Sequence, residues 1–171
     1  MEYKLRYYGD PILRKKTEKI TDFGEELQKL IEDMVRLMYA EDGAGLAGPQ
    51  VGVSKSLFVG DDNSGDGWKA YINPEILDFS DEKEVAEEGC LSVPDIFENV
   101  ERAKEVRIRY NDPEGNVHEE TLSSYKARIV QHETDHLNGI LFIDHLSTLK
   151  RRLLKKKLDF IKRMAKENTN E

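Results

Sequence analysis

The amino-acid sequence predicts an α+β protein, because helical patterns near both ends enclose a long stretch of β-strand patterns. Apolar residues recur at helical spacing in the first quarter of the chain. From residue 53 to residue 122, short apolar segments and alternation of apolar with charged residues indicate strands. A histidine motif and a leucine-rich basic segment follow, both typical of helices. At 171 residues a single domain is expected, and we assign it residues 1–166, with 167–171 as a frayed tail.

The first predicted helix begins near Asp22. Asp22 and Glu25 have the spacing of a capping box, in which the two side chains cap the first turn. Apolar residues then follow on one helical face, and they indicate packing in the core: Leu27, Leu30, Ile31, Met34 and Met38. Upstream, Asp10-Pro11 predicts an extended or turn segment, because proline restricts the residue before it.

A glycine-rich segment, GAGLAGPQVG at residues 43–52, separates this helix from the strands. Its four glycines and one proline predict a loop that can approach a ligand closely, with a plain helix-to-strand connection as the alternative. No Gly-Lys-Ser/Thr follows, so the segment is not a phosphate loop. Gln50 is its one hydrogen-bonding side chain.

The strand region contains two polar features. Residues 61–67, DDNSGDG, predict a hairpin tip or short loop, and their spacing lacks the closing glutamate of an EF-hand calcium site. Residues 87–94, EEGCLSVP, contain Cys90, the only cysteine of the chain. A single cysteine cannot form an internal disulfide, which is consistent with a reducing cytoplasm. A lone cysteine is usually a small buried apolar residue, but it can also ligate a metal.

The sequence QHETDH at residues 131–136 contains the H-E-x-x-H motif. Histidines four residues apart share one face of a helix, so His132 and His136 can bind one metal ion, and Glu133 can act as a base. Ser123 or Ser124 can cap this helix, and Gly139 is placed to end it. A catalytic site needs a third protein ligand with one position left open. Phe142 occupies the place of the third histidine in the longer form of the motif. We therefore expect the third ligand upstream, with Cys90 as the candidate, because a thiolate and two imidazoles suit Zn²⁺ or Fe²⁺.

The last segment predicts an amphipathic helix with a basic face. Its apolar positions are Leu149, Leu153, Leu154, Leu158, Ile161 and Ala165. Residues 147–171 carry a net charge of +6, and the rest of the chain carries −14. This distribution excludes a general nucleic-acid or DNA binder, but the basic end can dock on RNA or another acidic partner, with a solvated surface face as the alternative. No apolar run is long enough to cross a membrane, no signal peptide is expected, and the Glu- and Lys-rich composition favours a heat-stable protein.

Three motifs in this order resemble the peptide deformylase family: GAGLAGPQ at residues 43–50, EGCLS at 88–92 and QHETDH at 131–136. The resemblance extends from Asp10-Pro11 to about Ser147. The family usually has a bulkier residue at the position of Ala44 and an alanine at that of Gly48. The implied fold is α+β, with the motif helix packed centrally among antiparallel or mixed sheets. The implied reaction is hydrolysis of the N-formyl group from new polypeptides in the cytoplasm, releasing formate.

The resemblance also implies roles for individual residues. Cys90, His132 and His136 become ligands of Fe²⁺, which Zn²⁺, Ni²⁺ or Co²⁺ can replace. Glu133 becomes the general base and then the acid. Gln50 and the backbone N–H of Leu91 become donors to the oxyanion. The substrate is a formyl-methionyl nascent peptide bound as an added strand, and the residues expected along its groove are Gly45, Leu46, Glu88, Gly89 and Ile129.

Two other functions use the same helix. A general zinc peptidase would cleave internal amides, but no third ligand follows His136. A non-catalytic module with a structural metal would need four protein ligands, and the sequence offers three. An association of Lys150 to Lys166 with the ribosome, from which the substrate emerges, is a further hypothesis.

Overall fold

The computed structural model describes residues 2–170 and confirms the α+β architecture. Its helices are α1 (Glu25–Ala40), α2 (Ser124–Leu137), α3 (Thr148–Leu153) and α4 (Lys155–Thr169). Its strands are β1 (Gly45–Ala47), β2 (Leu57–Gly60), β3 (Lys69–Phe79), β4 (Lys83–Cys90), β5 (Val93–Ala103), β6 (Glu105–Asn111) and β7 (Val117–Ser123). Short 3-10 helices cover Pro11–Arg14, Gly48–Val51 and Phe142–His145. None of the helices in the described range is long and apolar enough to cross a membrane.

The strands form two antiparallel sheets. The first has five strands in the order β1-β2-β3-β6-β7, and the second is the hairpin of β4 and β5. β1 is therefore an edge strand of the large sheet. Cys90 lies at the end of β4 and pairs with Val93 across the tip of the hairpin, after a register irregularity at Glu88. The hairpin thus presents the cysteine at the end of a small sheet.

Helix α1 packs through the apolar face that the sequence predicts. Leu27, Ile31, Met34 and Met38 are buried against β1, β2 and β3. Burying a side chain of this size contributes roughly 1.5–3 kcal/mol, so the face is sufficient to hold the helix on the sheet. The helix begins at Glu25 with Gly24 as its N-cap, so the predicted capping box is wrong. Asp22 instead accepts a hydrogen bond from the Gly24 N–H, a local turn that removes its side chain from the helix end.

Helix α2 lies between the two sheets, in contact with β1, β2 and β7 of one and β5 of the other. Nine of its 14 residues are buried, including two histidines, Arg128, Gln131 and Glu133. Polar side chains are buried at a cost unless they have partners, so this composition itself indicates a site. The helix ends as expected: Asn138 is the C-cap, and Gly139 follows with a left-handed φ of 75°.

The C-terminal segment differs from the single amphipathic helix that the sequence predicts. It is divided at Leu154 into α3 and α4, and only Leu158, Ile161 and Ala165 are buried. Leu158 and Ile161 pack in a core that includes Ile96 and Phe142. Leu149 and Leu153 are instead exposed, because α3 has no buried face. Helix α4 includes residues 167–169 of the segment expected to be a frayed tail, and Glu171 lies outside the described residues.

Candidate metal centre

Cys90, His132 and His136 meet at one point although they come from different elements. β4 ends at Cys90, and one turn of α2 separates the two histidines, whose ring centroids are 5.1 Å apart. The Cys90 Sγ lies 3.4 Å from the Nε2 of His136. One ligand atom from each of the three residues lies within 4.8 Å of the other two, and both histidines are buried. The structure therefore brings together the three residues that the sequence singled out.

These residues fit a metal ion by their chemistry as well as by their spacing. One thiolate and two imidazoles are the donor set that Zn²⁺ and Fe²⁺ bind well. Among residues 2–170 the cluster contains these three potential ligands and no fourth. A metalloenzyme site with three protein ligands keeps a coordination position for water or substrate, whereas a structural zinc site uses four protein ligands.

The Glu88 carboxylate holds one of the histidines in place. Its Oε1 accepts hydrogen bonds from the Nδ1 of His132 at 2.8 Å and from Arg102 at 3.0 Å. Its Oε2 accepts from Arg102 at 2.9 Å and from Arg128 at 2.6 Å. A histidine that donates through Nδ1 keeps Nε2 free as a ligand, so this contact selects the tautomer that a metal needs.

Burial and charge act in opposite directions on these groups. Burial alone would raise the pKa of Glu88, but its bonds with His132 and Arg102 outweigh burial and hold that pKa far below the ordinary range. Burial alone would lower the pKa of His132, but the neighbouring Cys90 and Glu88 outweigh it and raise that pKa. Burial and the nearby His132 together lower the pKa of His136. Glu88 is thus a fixed negative charge beside the cluster.

Glu133 is buried beside the two rings. Its Oε1 lies 3.8 Å from the Nε2 of His132, and its Oε2 has no hydrogen-bond partner among the described residues. Burial raises the pKa of Glu133 to about 7, against the lowering effect of His132. A bound dication stabilises the ionised carboxylate and would lower that pKa. A buried carboxylate with one free oxygen, placed beside a metal centre, can accept a proton from water.

Gln50 lies on the other side of the cysteine and is almost completely buried. Its Oε1 accepts a hydrogen bond from the Ala47 N–H at 2.9 Å, and its Nε2 donates to the Ser92 Oγ at 3.1 Å. The same Nε2 lies 3.6 Å from the Cys90 Sγ. The amide is therefore fixed with a donor nitrogen facing the metal cluster. Sequence reasoning missed Ser92, although it belongs to the same short segment as Cys90.

A cavity of about 470 Å³ opens beside the cluster. Of the residues expected along the substrate groove, four line this cavity: Gly45, Glu88, Gly89 and Ile129. Leu46 does not line it, because its side chain is fully buried in the core beside α1. Gln50, Leu91, Cys90, His132 and Glu133 also line the cavity. Two of the three potential ligands, the Glu133 carboxylate and the Gln50 amide thus face one cavity, whereas His136 does not line it.

Sequence reasoning missed two aromatic residues of this cavity. Phe97 on β5 and Tyr125 on α2 line it and remain about half exposed. The Phe97 ring lies against Gly89, where a Cβ would meet the ring at 2.6 Å. Neither residue stands in a motif, so no local pattern could have indicated it. Arg128 also lines the cavity, but its guanidinium is bound to Glu88 and to two backbone carbonyls.

The sequence matches the family profile described as polypeptide deformylase over residues 2–152. It is 52% identical over 164 residues to a peptide deformylase from Thermotoga maritima, and the match covers 96% of this chain and 99% of that protein. It is 44% identical over 173 residues to a peptide deformylase from Fusobacterium nucleatum, covering 100% of this chain and 99% of that one.

Solved structures agree with the sequence comparison. The crystal structure of peptide deformylase from T. maritima superposes with a TM-score of 0.83 at 52% identity, covering 86% of this chain and 99% of that chain. The crystal structure of an Arabidopsis thaliana peptide deformylase in complex with an inhibitor superposes with a TM-score of 0.91 at 37% identity, covering 98% and 94%.

Proposed function

The chain belongs to the polypeptide deformylase family, and we propose that Cys90, His132 and His136 hold the metal ion with which it acts. It is a hydrolase that removes the N-formyl group from N-formylmethionyl nascent polypeptides, releasing formate and a free N-terminal amine. The observation that supports the assignment of the site is the convergence of the ligand atoms of these three side chains, next to a cavity that Cys90, His132 and Glu133 line.

The family resemblance favours Fe²⁺ as the ion, and the sulfur-and-imidazole donor set also suits Zn²⁺, Ni²⁺ or Co²⁺. Such an ion, when bound by the three ligands, supplies Lewis acidity toward the formyl group and lowers the pKa of water toward about 7. Glu88 supports the ligand set by keeping the Nε2 of His132 free, and Cys90 contributes as the thiolate.

The protein's own groups then move the proton and stabilise charge. Glu133, whose Oε1 lies 3.8 Å from the Nε2 of His132, accepts a proton from the attacking water and later returns that proton to the leaving amine. The Gln50 Nε2 and the Leu91 N–H donate to the formyl oxygen as negative charge develops on it. Ser92 and Ala47 hold the Gln50 amide in the orientation that this role needs.

The substrate binds in the cavity as an extended peptide. β1 is an edge strand, and its Gly45 lines the cavity, so a peptide can add there through backbone hydrogen bonds. Ile129, Leu91 and Tyr125 offer apolar surface for the methionine side chain. The reaction takes place in the cytoplasm, where nascent chains carry the formyl group.

Replacing Glu133 with glutamine tests the site assignment. The variant keeps the volume of the side chain but cannot accept the proton, so formate release from a formyl-methionyl peptide should fall about 10²–10⁴-fold. Metal content should remain at one ion per chain. The exposed Glu101→Gln makes the same chemical change on β5 and should be fully active. Full activity of metal-loaded E133Q would contradict the mechanism. The acetylated and internal-amide counterparts of the peptide should not be cleaved by the native enzyme.

The basic C-terminal helices support a second proposal, that the chain docks on the ribosome. Lys156, Lys157 and Arg163 are exposed on α4, and Leu149 and Leu153 are exposed on α3. Basic side chains beside exposed apolar ones can bind RNA phosphates together with a protein surface.

Replacing Lys156, Lys157 and Arg163 with glutamate should abolish co-sedimentation with ribosomes at low salt. Cleavage of a short formyl peptide should remain unchanged. The buried face of α4 is not altered, so the fold is retained. Reversal of the exposed Lys15, Lys16 and Lys19 is the matched control for net charge. Docking through α4 would be contradicted if both triple variants lost ribosome binding equally, or if neither variant lost it.

A further inference from the structure

The Glu88 carboxylate is fully occupied, and two arginines account for most of its bonds. It accepts four hydrogen bonds: one from His132, two from Arg102 and one from Arg128. Four is the usual acceptor capacity of a carboxylate. Its side chain therefore has one orientation in which every bond is made, and the loss of any donor releases part of that constraint.

Arg128 connects more parts of the molecule than its bond to Glu88 alone. Its Nη1 also donates to the backbone carbonyl of Val100 at 2.9 Å, and its Nη2 donates to that of Glu84 at 2.7 Å. Glu84 belongs to β4 and Val100 to β5, so one guanidinium from α2 binds both strands of the hairpin. Arg128 is 6% exposed. A buried guanidinium with several charge-assisted and backbone bonds holds its neighbours in fixed geometry.

These contacts lie between the two halves of the metal cluster. Helix α2 carries His132 and His136, and the hairpin carries Cys90 at the end of β4. Arg102 reaches across in the other direction, from the hairpin to Asp135 on α2 at 2.6 Å. Arg128 differs from Arg102 because it alone joins Glu88 to the backbone of both hairpin strands. The spacing between the thiol and the imidazoles depends on this junction.

We infer that Arg128 is a positioning residue of the metal centre: through Glu88 it orients His132, and through the β4 and β5 carbonyls it sets the distance from α2 to Cys90. The inference rests on the ligand assignment proposed above. It extends that assignment to a residue that touches neither the ion nor, by its charged group, the peptide. Partners of metal ligands commonly affect metal affinity about 10–100-fold when they are replaced.

The test measures metal release rather than turnover. Protein loaded with Co²⁺ is mixed with excess chelator, and loss of the Co²⁺ visible spectrum gives the dissociation rate. Arg128→Met should release Co²⁺ about 10–100-fold faster than the native protein and should show a shifted spectrum before release. Arg128→Lys keeps the charge and one contact with Glu88 but cannot bind both carbonyls, so its release rate should be intermediate. If R128M fails to fold, the release rate of R128K is compared with that of the native protein instead.

Gln131→Met is the matched control, because Gln131 also joins α2 to the hairpin but does not touch Glu88. Its amide exchanges hydrogen bonds with the N–H and C=O of Ala103 at 3.1 and 2.8 Å. Q131M should lower the melting temperature and leave the Co²⁺ spectrum and release rate within about twofold of the native values. Equal acceleration in Q131M and the Arg128 variants would show a general loosening of the junction and overturn the inference, as would unchanged release from the Arg128 variants.

A double variant tests the route through Glu88. If Arg128 acts by holding Glu88, then Glu88→Gln and Arg128→Met combined should accelerate release less than the product of their separate effects. Strictly multiplicative effects would contradict that route. Failure of the ligand assignment is recognised separately: the native protein would then bind no stoichiometric Co²⁺, or His136→Ala would bind it as well as the native protein.

Discussion

At the scale of single residues, the carboxylate of Glu133, the proposed acid–base group, has little free space around it. A Cβ on Gly45 would lie 2.6 Å from the Glu133 Oε1 and 2.9 Å from its carboxyl carbon. Real Cβ atoms do not approach so closely, and Glu133 is buried, so its side chain would have to turn away from its position beside His132. Gly45, the first residue of β1, therefore leaves room for the proposed acid–base group as well as for the proposed peptide groove.

We expect Gly45→Ala to lower kcat by about 10²-fold, the cost of displacing a reacting group by roughly 1 Å. The ligands do not touch Gly45, so metal content should stay at one ion per chain. Formate release and metal analysis on the same preparation check both statements. Native kcat in a folded, metal-loaded G45A protein would show that the Glu133 position is not critical.

Replacing Gln50 should distinguish an effect on turnover from an effect on substrate binding. Its Nε2 faces the metal cluster and is held there by Ser92. A donor that acts on charge formed during the reaction affects kcat rather than ground-state binding. We expect Gln50→Ala to lower kcat about 10²–10³-fold with little change in KM. Ser92→Ala should give a smaller fall, because the amide remains but loses one anchor. A raised KM at constant kcat would instead assign Gln50 to substrate binding.

The sequence indicated the site residues that stand in short motifs and missed those whose partners are distant. His132, Glu133 and His136 could be predicted because helix geometry relates positions four residues apart. Cys90 followed from the chemistry of the donor set. The role of Arg128 depends on partners 28 to 44 residues away, and no local pattern carries that information.

At the scale of elements, the sequence predicted a helix correctly where one apolar face is buried, and less well where the burial is of another kind. α1 packs one apolar face on a sheet, so its spacing alone predicted both the helix and its buried side. α3 and α4 together continue one helical spacing of apolar residues, but the break at Leu154 turns the first part away from the core. α2 buries polar residues because they form the site, and a hydrophobic pattern cannot anticipate that.

The 3-10 helix at Gly48–Val51, which precedes β2, has little space for a larger residue at its first position. Gly48 is buried, and a Cβ there would lie 2.7 Å from the carbonyl oxygens of both Val53 and Lys55. These backbone atoms cannot move as the end of a flexible side chain could. Gly48→Ala should therefore destabilise this protein by about 1–3 kcal/mol, as overpacking of a core typically does.

Thermal unfolding of metal-loaded G48A and native protein measures this difference. The melting temperature should fall by roughly 2–4 °C for each kcal/mol in a chain of this size. An unchanged or higher melting temperature would show that the 53–55 segment adjusts without cost. Activity of the folded variant should persist, because no group of the metal cluster is removed.

At the scale of the whole molecule, the proposed metal cluster lies where two packed parts of the fold meet. The large sheet and α1 form one core, and the β4–β5 hairpin packs with α4 and residues 141–146 in another. Helix α2 touches both sheets. The sequence indicated strands between residues 53 and 122, but not that they separate into two sheets, because alternation gives the face of a strand and not its neighbour. It predicted a loop where β1 lies.

Removal of the metal should therefore lower the stability of the entire fold. An ion that binds only the native state stabilises it by about 2.7 kcal/mol when its free concentration is 100 times Kd. For a chain of this length that corresponds to a fall in melting temperature on the order of 5–10 °C on chelation. His136→Ala lacks one ligand, so chelator should shift its melting temperature by no more than about 1–2 °C on the same basis. Calorimetric scans of both proteins, with and without chelator, make the comparison. An equal shift in the two would mean that the stabilising ion binds elsewhere, since only the native protein has the Cys90–His132–His136 set that bridges the hairpin and α2.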